Sequence, residues 1–213
     1  MAAGGTFTAA DGTTHVQVCT SPDGRVAVAF ATNRVAIWAA SGTISGGLSA
    51  PVFVAAADYS NVSAPKAALD DAGQASLIWS QTTRTESATR SPGGTWSAAT
   101  VLAGQSSSSV ATAIDGAGNA IAVFGSSFSW HLAGGSWGPA TSLPAGSSGG
   151  LVVADPGGTF VYGGSGGNAF TFAAGATSFG AGSGSRGSLG DLKIVPGRAV
   201  MLAAGAVSTE AVS

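Results

Sequence analysis

A chain of 213 residues with 45% hydrophobic content and positive mean hydropathy can bury a substantial core, so its 34 glycines and 8 prolines read as turn residues between many short strands rather than as disorder. Only 8% of residues are charged, the formal net charge is −2 and the eight basic residues are scattered, which excludes the clustered Lys and Arg that a nucleic-acid partner needs. The single cysteine excludes an internal disulfide, and no apolar run approaches the roughly 18 residues of a membrane span.

In chain order, the first segment has neither a basic n-region nor an apolar h-region, so no signal peptide is expected. Gly4-Gly5-Thr6-Phe7-Thr8-Ala9 matches a marker found further on. Cys19, in Val-Gln-Val-Cys-Thr, reads as a small apolar strand residue. Next comes a turn feeding an apolar run, Ser21-Pro22-Asp23-Gly24 into Val-Ala-Val-Ala-Phe, and this unit recurs at Gly73, Gly118, Gly158 and Gly197. Its clearest copy is Asp115-Gly-Ala-Gly118-Asn-Ala-Ile-Ala-Val-Phe124. Gly tolerates positive φ and Asp bonds its own backbone, so the turn is tight and the run after it suits a buried strand.

The turn glycines are spaced 49, 45, 40 and 39 residues apart, a period that fits a four-stranded propeller blade. About twenty residues after each turn, a Gly-Gly marker precedes a large apolar residue, as in Gly46-Gly47-Leu48, Gly93-Gly94-Thr95-Trp96 and Gly134-Gly135-Ser136-Trp137. The fourth copy is degenerate, Gly175 to Phe179. The fifth is missing after Gly197, but the Gly4-Gly5 copy supplies it, and the step from Gly197 through both termini to Gly24 is again 40 residues. The expected fold is therefore all-β: one domain over residues 1–213, a five-bladed β-propeller of four-stranded antiparallel blades, closed by an N-terminal strand that completes the last blade.

Within a blade the inner strand precedes the turn (Lys66 to Asp70, Val110 to Ile114), the second follows it, and the third covers Val35 to Ala39, Glu86 to Arg90, Phe128 to Leu132, Asn168 to Phe172 and Val207 to Val212. Phe7, Phe30, Trp79, Trp96, Phe124, Trp137 and Phe179 are expected as wedges between blades, with Trp96→Ala costing ~3–5 kcal/mol. At these residues the chain resembles propeller-like repeats of actinobacterial and phage proteins, whose consensus is Asp-x-x-Gly-Asn-Ala-x-Ala-Val-Trp followed by Gly-Gly-x-Trp-Ser. Residues 65 to 143 carry it best; the copies at Gly158 and Gly197 have lost the Asn-Ala and the terminal Trp. The resemblance implies propeller architecture and non-catalytic binding or structural roles. Five-bladed lectins are similar in blade number and length alone.

Asp23, Asp70, Asp71, Asp115 and Asp155 all sit at the repeat's turn, where Asp is a turn former, and Glu86 and Glu210 each stand alone. No carboxylate pair for glycoside hydrolysis is visible, so no catalytic residue and no enzyme activity is expected, with a glycoside hydrolase as the third reading. His15 and His131 are isolated, and neither a metal nor a cofactor is expected. Trp38, Trp130, Phe128 and Phe170 fall on third strands beside Ser/Thr/Asn/Gly-rich loops and are the candidate ligand-binding residues; core packing explains them equally well. The expected function is a multivalent module for an extracellular surface, a glycan or a protein, without nucleic acid or membrane insertion. The alternative is a structural, decorating or receptor-binding component of a virion or similar homo- or hetero-assembly.

Overall fold

The structure is a computed structural model that describes residues 13–32, 36–57, 63–145, 147–164, 167–180, 182–184, 189–195, 198–203 and 206–211. It contains strands, turns and bends and, among the described residues, no helix. Residues 4–10, with the expected wedge Phe7, and Gly197, on which the expected closure and fifth turn rest, lie outside the described residues.

The chain divides into two compact units, residues 1–108 and 109–213. In the first, β1 (Thr13–Thr20), β2 (Arg25–Thr32), β3 (Ala36–Thr43) and β4 (Gly47–Leu48) pair in that order. β5 (Val52–Ala56) pairs with the same edge of β3, so the outer strand is interrupted at Pro51. The second sheet runs β6 (Lys66–Leu69), β7 (Ala75–Gln81), β8 (Arg84–Arg90) and β9 (Thr100–Ala103). β6 lies against β1 and β2, so the inner strands of the two sheets are neighbours.

The second unit repeats the plan. One sheet runs β10 (Val110–Ile114), β11 (Ala120–Phe124), β12 (Ser127–His131) and β13 (Thr141–Ser142). The next runs β14 (Leu151–Ala154), β15 (Thr159–Gly163), β16 (Asn168–Ala173) and β17 (Ser183–Gly184). The last runs β18 (Leu189–Val195), β19 (Arg198–Ala203) and β20 (Ala206–Ala211), three strands among the described residues. Every pairing is antiparallel.

The turns form as their residues dictate. Gly24, Gly73, Gly118 and Gly158 all have φ between 85° and 96°, a region that costs any residue with a Cβ. At three of the four turns an Asp caps the loop from the position three residues before the glycine: the Asp70 carboxylate accepts from the Gln74 amide at 2.7 Å, that of Asp115 from Asn119 at 2.8 Å, and that of Asp155 from Gly157 at 2.9 Å. In the first sheet this position is Ser21, whose Oγ accepts from the Arg25 amide at 3.2 Å. Asp23 and Asp71 are therefore not copies of the capping residue. They tie neighbouring turns together instead: Arg25 Nε donates to the Asp23 carboxylate at 2.9 Å and to the Asp71 carbonyl at 2.8 Å.

Each unit has its own core. Ala29, Ala31, Ile37, Ala39, Leu77, Trp79 and Ala88 pack together in the first; Ile121, Val123, Phe128, Val152, Phe160, Tyr162 and Phe172 do so in the second. β7 and β11 are buried along their whole length, as middle strands covered on both faces must be. The expected wedges divide: Phe30, Trp79 and Phe124 are buried, while Trp96, Trp137 and Phe179 are half-buried.

Candidate functional site: a groove in the first unit

One hydrogen bond recurs in four sheets. The amides of Ser49, Ser97, Gly138 and Gly180 donate to the carbonyls of Ser41, Thr89, Trp130 and Thr171 at 2.7–2.9 Å. It sets one cross-strand pair in each sheet at an equivalent place: Gly42 with Leu48, Arg90 with Trp96, His131 with Trp137, and Phe172 with Phe179. The backbone is repeated and the chemistry of the pair is not.

In the second unit this place is filled with rings. Phe172 lies 5.4 Å from Phe128 and 5.9 Å from Trp130, and Phe179 lies 4.8 Å from Phe128, all in edge-on geometry that favours aromatic pairs. In the first unit, register puts Ala39 where the second has Phe128, Ser41 where it has Trp130, and Arg90 where it has Phe172. Two large rings become small side chains and a third becomes a cation, and a cleft of about 260 Å³ opens beside Ala39, Ala40, Ser41, Ser49, Arg90 and Trp96. A second cleft of about 300 Å³ shares Ser41, Ser49 and Arg90 with it and extends past Gly42, Gly73 and Arg25, so the two form one groove. A side chain at Gly42 would meet the Gly47 carbonyl at 1.9 Å, which fixes glycine on that wall.

Arg90 spans the groove. Its Nε donates to the Gly94 carbonyl at 2.8 Å and its Nη1 to Ser41 Oγ at 2.7 Å. The lining contains serine and threonine hydroxyls, the half-buried Trp96 ring and two arginines, and no Asp or Glu. Phe53 borders the cleft through its strand, while its ring packs edge-on against Trp38 at 5.6 Å.

Of the residues singled out from sequence, Trp38 is half-buried on β3 and donates from Nε1 to Thr32 Oγ1 at 3.1 Å. Trp130 is half-buried against Phe172, and Phe170 is half-buried and stacked on Tyr162 at 6.2 Å. Phe128 is 1% exposed and belongs to the core. Trp38 belongs to the first unit and the other three to the second, where Phe128 and Trp130 both pack against Phe172. The groove residues Arg90, Ser41, Ser49 and Trp96 were not named as a set from sequence. Sequence distance hides the correspondence, because Ala39 and Ser41 lie 15 and 17 residues past Gly24 while Phe128 and Trp130 lie 10 and 12 past Gly118; strand pairing reveals it, since their partners Ala29 and Ala27, and Val123 and Ile121, stand five and three residues past the turn glycine of each copy.

The titratable groups outside the groove have structural employment. The Glu86 carboxylate is buried, accepts from Trp79 Nε1 at 3.2 Å and from Gln81 Nε2, and pairs with Arg84 at 3.0 Å. Its acceptor positions are taken up by neighbours, which leaves it poorly placed to protonate a leaving group. Burial holds the His131 imidazole below its ordinary pKa, beside the Trp137 ring at 5.3 Å. Among the described residues no group of three or more His, Cys, Asp or Glu could hold a metal, and no helix is long and apolar enough to cross a membrane.

Burial pushes the Tyr162 hydroxyl up to about 12, and its O–H donates to the Gly149 carbonyl at 2.6 Å. In the unfolded chain it ionises near its ordinary pKa of about 10, so the folded state holds the proton more tightly. The stability this provides is present below pH about 10 and is lost as pH rises toward about 12. Thermal melts of the wild type should therefore fall more steeply above pH about 10 than those of Tyr162→Phe.

No family model and no curated protein matches the sequence. Solved structures do match the fold. The C-terminal WD40 domain of Sif2 is 15% identical with a TM-score of 0.60, over 94% of this chain and 57% of that one. A streptogramin B lyase is 11% identical with a TM-score of 0.55, over 92% of this chain and 67% of that one. A chain of a nidogen/laminin complex is 14% identical with a TM-score of 0.55, over 89% and 72%. The chain thus spans little more than half of the Sif2 domain. Antiparallel sheets of up to four main strands and these likenesses together define the class: an all-β protein of β-propeller-like fold.

Proposed function

We propose that the protein is a non-catalytic recognition module that holds a glycan in the groove of its first unit. The observation that carries this is the groove's lining, where an indole, hydroxyls and a guanidinium without an acid converge and no carboxylate is present. Sugars are held by an aromatic face under their C–H surface and hydrogen bonds around their rim, and the cleft volume lies at the small end of small-molecule sites, ~300–1,000 Å³. Hydrolysis of a glycoside would need two carboxyl groups flanking the bond, and the lining supplies none. The same proposal takes the five sheets as blades of one ring whose last blade borrows its outer strand from residues 4–10, as the 40-residue period supports. On this view the repeated backbone is scaffold and the varied cross-strand pair sets what each blade can hold.

The test is a glycan array followed by titration of the best saccharide. Trp96→Ala should weaken binding about tenfold or more, the loss of one aromatic contact of ~1.4 kcal/mol. Trp137→Ala, at the equivalent place in the second unit, should leave it within about twofold of wild type. An array without a single bound saccharide, or a soaked crystal with the sugar elsewhere, would overturn the proposal.

A further inference from the structure

We infer that the saccharide taken by this groove is an acidic one, a chain of uronate sugars, with one carboxylate seated on the free edge of Arg90; this rests on the glycan reading above. Three arginines have described side chains, and two carry an acid: Arg25 pairs with Asp23 at 2.9 Å and Arg84 with Glu86 at 3.0 Å. Arg90 has no carboxylate within ion-pair reach among the described residues, and its protein contacts are the two neutral acceptors Gly94 O and Ser41 Oγ. A guanidinium carries five N–H donors in a planar fork, so two bonds leave three donors for a ligand.

The two existing bonds hold the plane across the groove from both sheets, which preorganises the fork for a carboxylate. An incoming carboxylate would meet no acid on the lining to repel it: Asp23, beside Arg25, is engaged by Arg25 and Ser21, and Glu86, on the same strand as Arg90, is buried and paired with Arg84. Around the fork, Ser41, Ser49 and Thr95 offer hydroxyls and Trp96 a ring, which suit a sugar's hydroxyl rim and apolar face. A peptide would instead be read through a run of backbone pairs along a free strand edge. A nucleic acid would need several cations, and this groove has one without an acid.

The test compares trigalacturonate with its carboxyl-reduced, uncharged counterpart by calorimetry on the full chain. The acid should bind about tenfold more tightly at low salt, with the preference shrinking as salt is added. Arg90→Gln should reduce that preference to about twofold or less, while Arg90→Lys, which keeps charge and loses the fork, should retain part of it. Circular dichroism and the neutral sugar's own affinity report whether each variant is folded. Equal affinity of the two trisaccharides for the wild type, or an acid preference that survives Arg90→Gln, would overturn the inference. If the neutral sugar binds in a Trp96-dependent way and the acid no better, only this inference fails. If neither binds, and the glycan array is also blank, the recognition reading falls with it. A peptide with a free C-terminal carboxylate that binds through Arg90 more tightly than the uronate would also overturn it.

Discussion

Trp79→Ala is expected to destabilise the first unit by about 3–5 kcal/mol, the range for removing a fully buried large side chain from a core that cannot collapse around the hole. Trp79 is 0% exposed and packs with Ala29, Ala31, Ile37, Ala39 and Leu77, most of them too small to move into a void of that size. Its indole also donates to the buried Glu86 carboxylate, which would lose one of the groups that solvate it. Trp79→Phe separates the two effects, because it keeps most of the apolar volume and removes the donor; the expected cost of the lost bond is about 1.5–3 kcal/mol, as for hydrogen bonds to charged groups. Urea denaturation followed by far-ultraviolet circular dichroism measures both. Trp96→Ala, for which the sequence suggests ~3–5 kcal/mol, should cost only about 1–2 kcal/mol, because part of its ring stays in water in the folded state. An order of Trp96 above Trp79 would contradict this placement of the core.

The strand framework was readable because it is written five times over in one grammar. Predicted third strands at Glu86 to Arg90 and Asn168 to Phe172 appear as Arg84–Arg90 and Asn168–Ala173, and the inner strand Val110–Ile114 appears unchanged. Local chemistry decides these elements: a glycine with positive φ and a capping Asp fix the turn, and with it the register, which a one-residue slip would change by turning every side chain to the opposite face of the sheet. The groove was not readable in the same way, since it is defined by what is missing. A search for exposed aromatics finds Phe128 and Trp130, the rings that fill the equivalent space in the second unit. The opening lies where Ala39 and Ser41 replace them, and only the register of β3 against β2 shows the correspondence. Arg90 was equally hidden, one scattered arginine among six, until the pairing of Arg25 and Arg84 set it apart.

Asp115→Ala should cost about 3–4 kcal/mol, more than a substitution in a surface turn ordinarily does, because this carboxylate is 1% exposed and organises its loop from inside. Its Oδ1 accepts from the amides of Ala117 at 2.9 Å and Asn119 at 2.8 Å, and its Oδ2 from Asn119 Nδ2 at 2.8 Å. Hydrogen bonds to a charged group contribute about 1.5–3 kcal/mol each, but water reaches part of the opened turn, so the sum falls well short of three full bonds. Asn119 passes the constraint on, its Oδ1 accepting from the Ala133 amide at 3.1 Å and so fastening the turn to the loop that follows β12. Asp115→Asn tests the charge: it keeps an acceptor for the two amides but sets one amide NH2 against another at Asn119, and should recover about half of the loss. Asn119→Ala, which leaves the backbone bonds and removes the bridge, should cost about 1–2 kcal/mol. If Asp115→Ala melts within a degree of wild type, the repeated Asp is a turn former in the unfolded chain alone, and the packed turn contributes nothing to holding the second unit together.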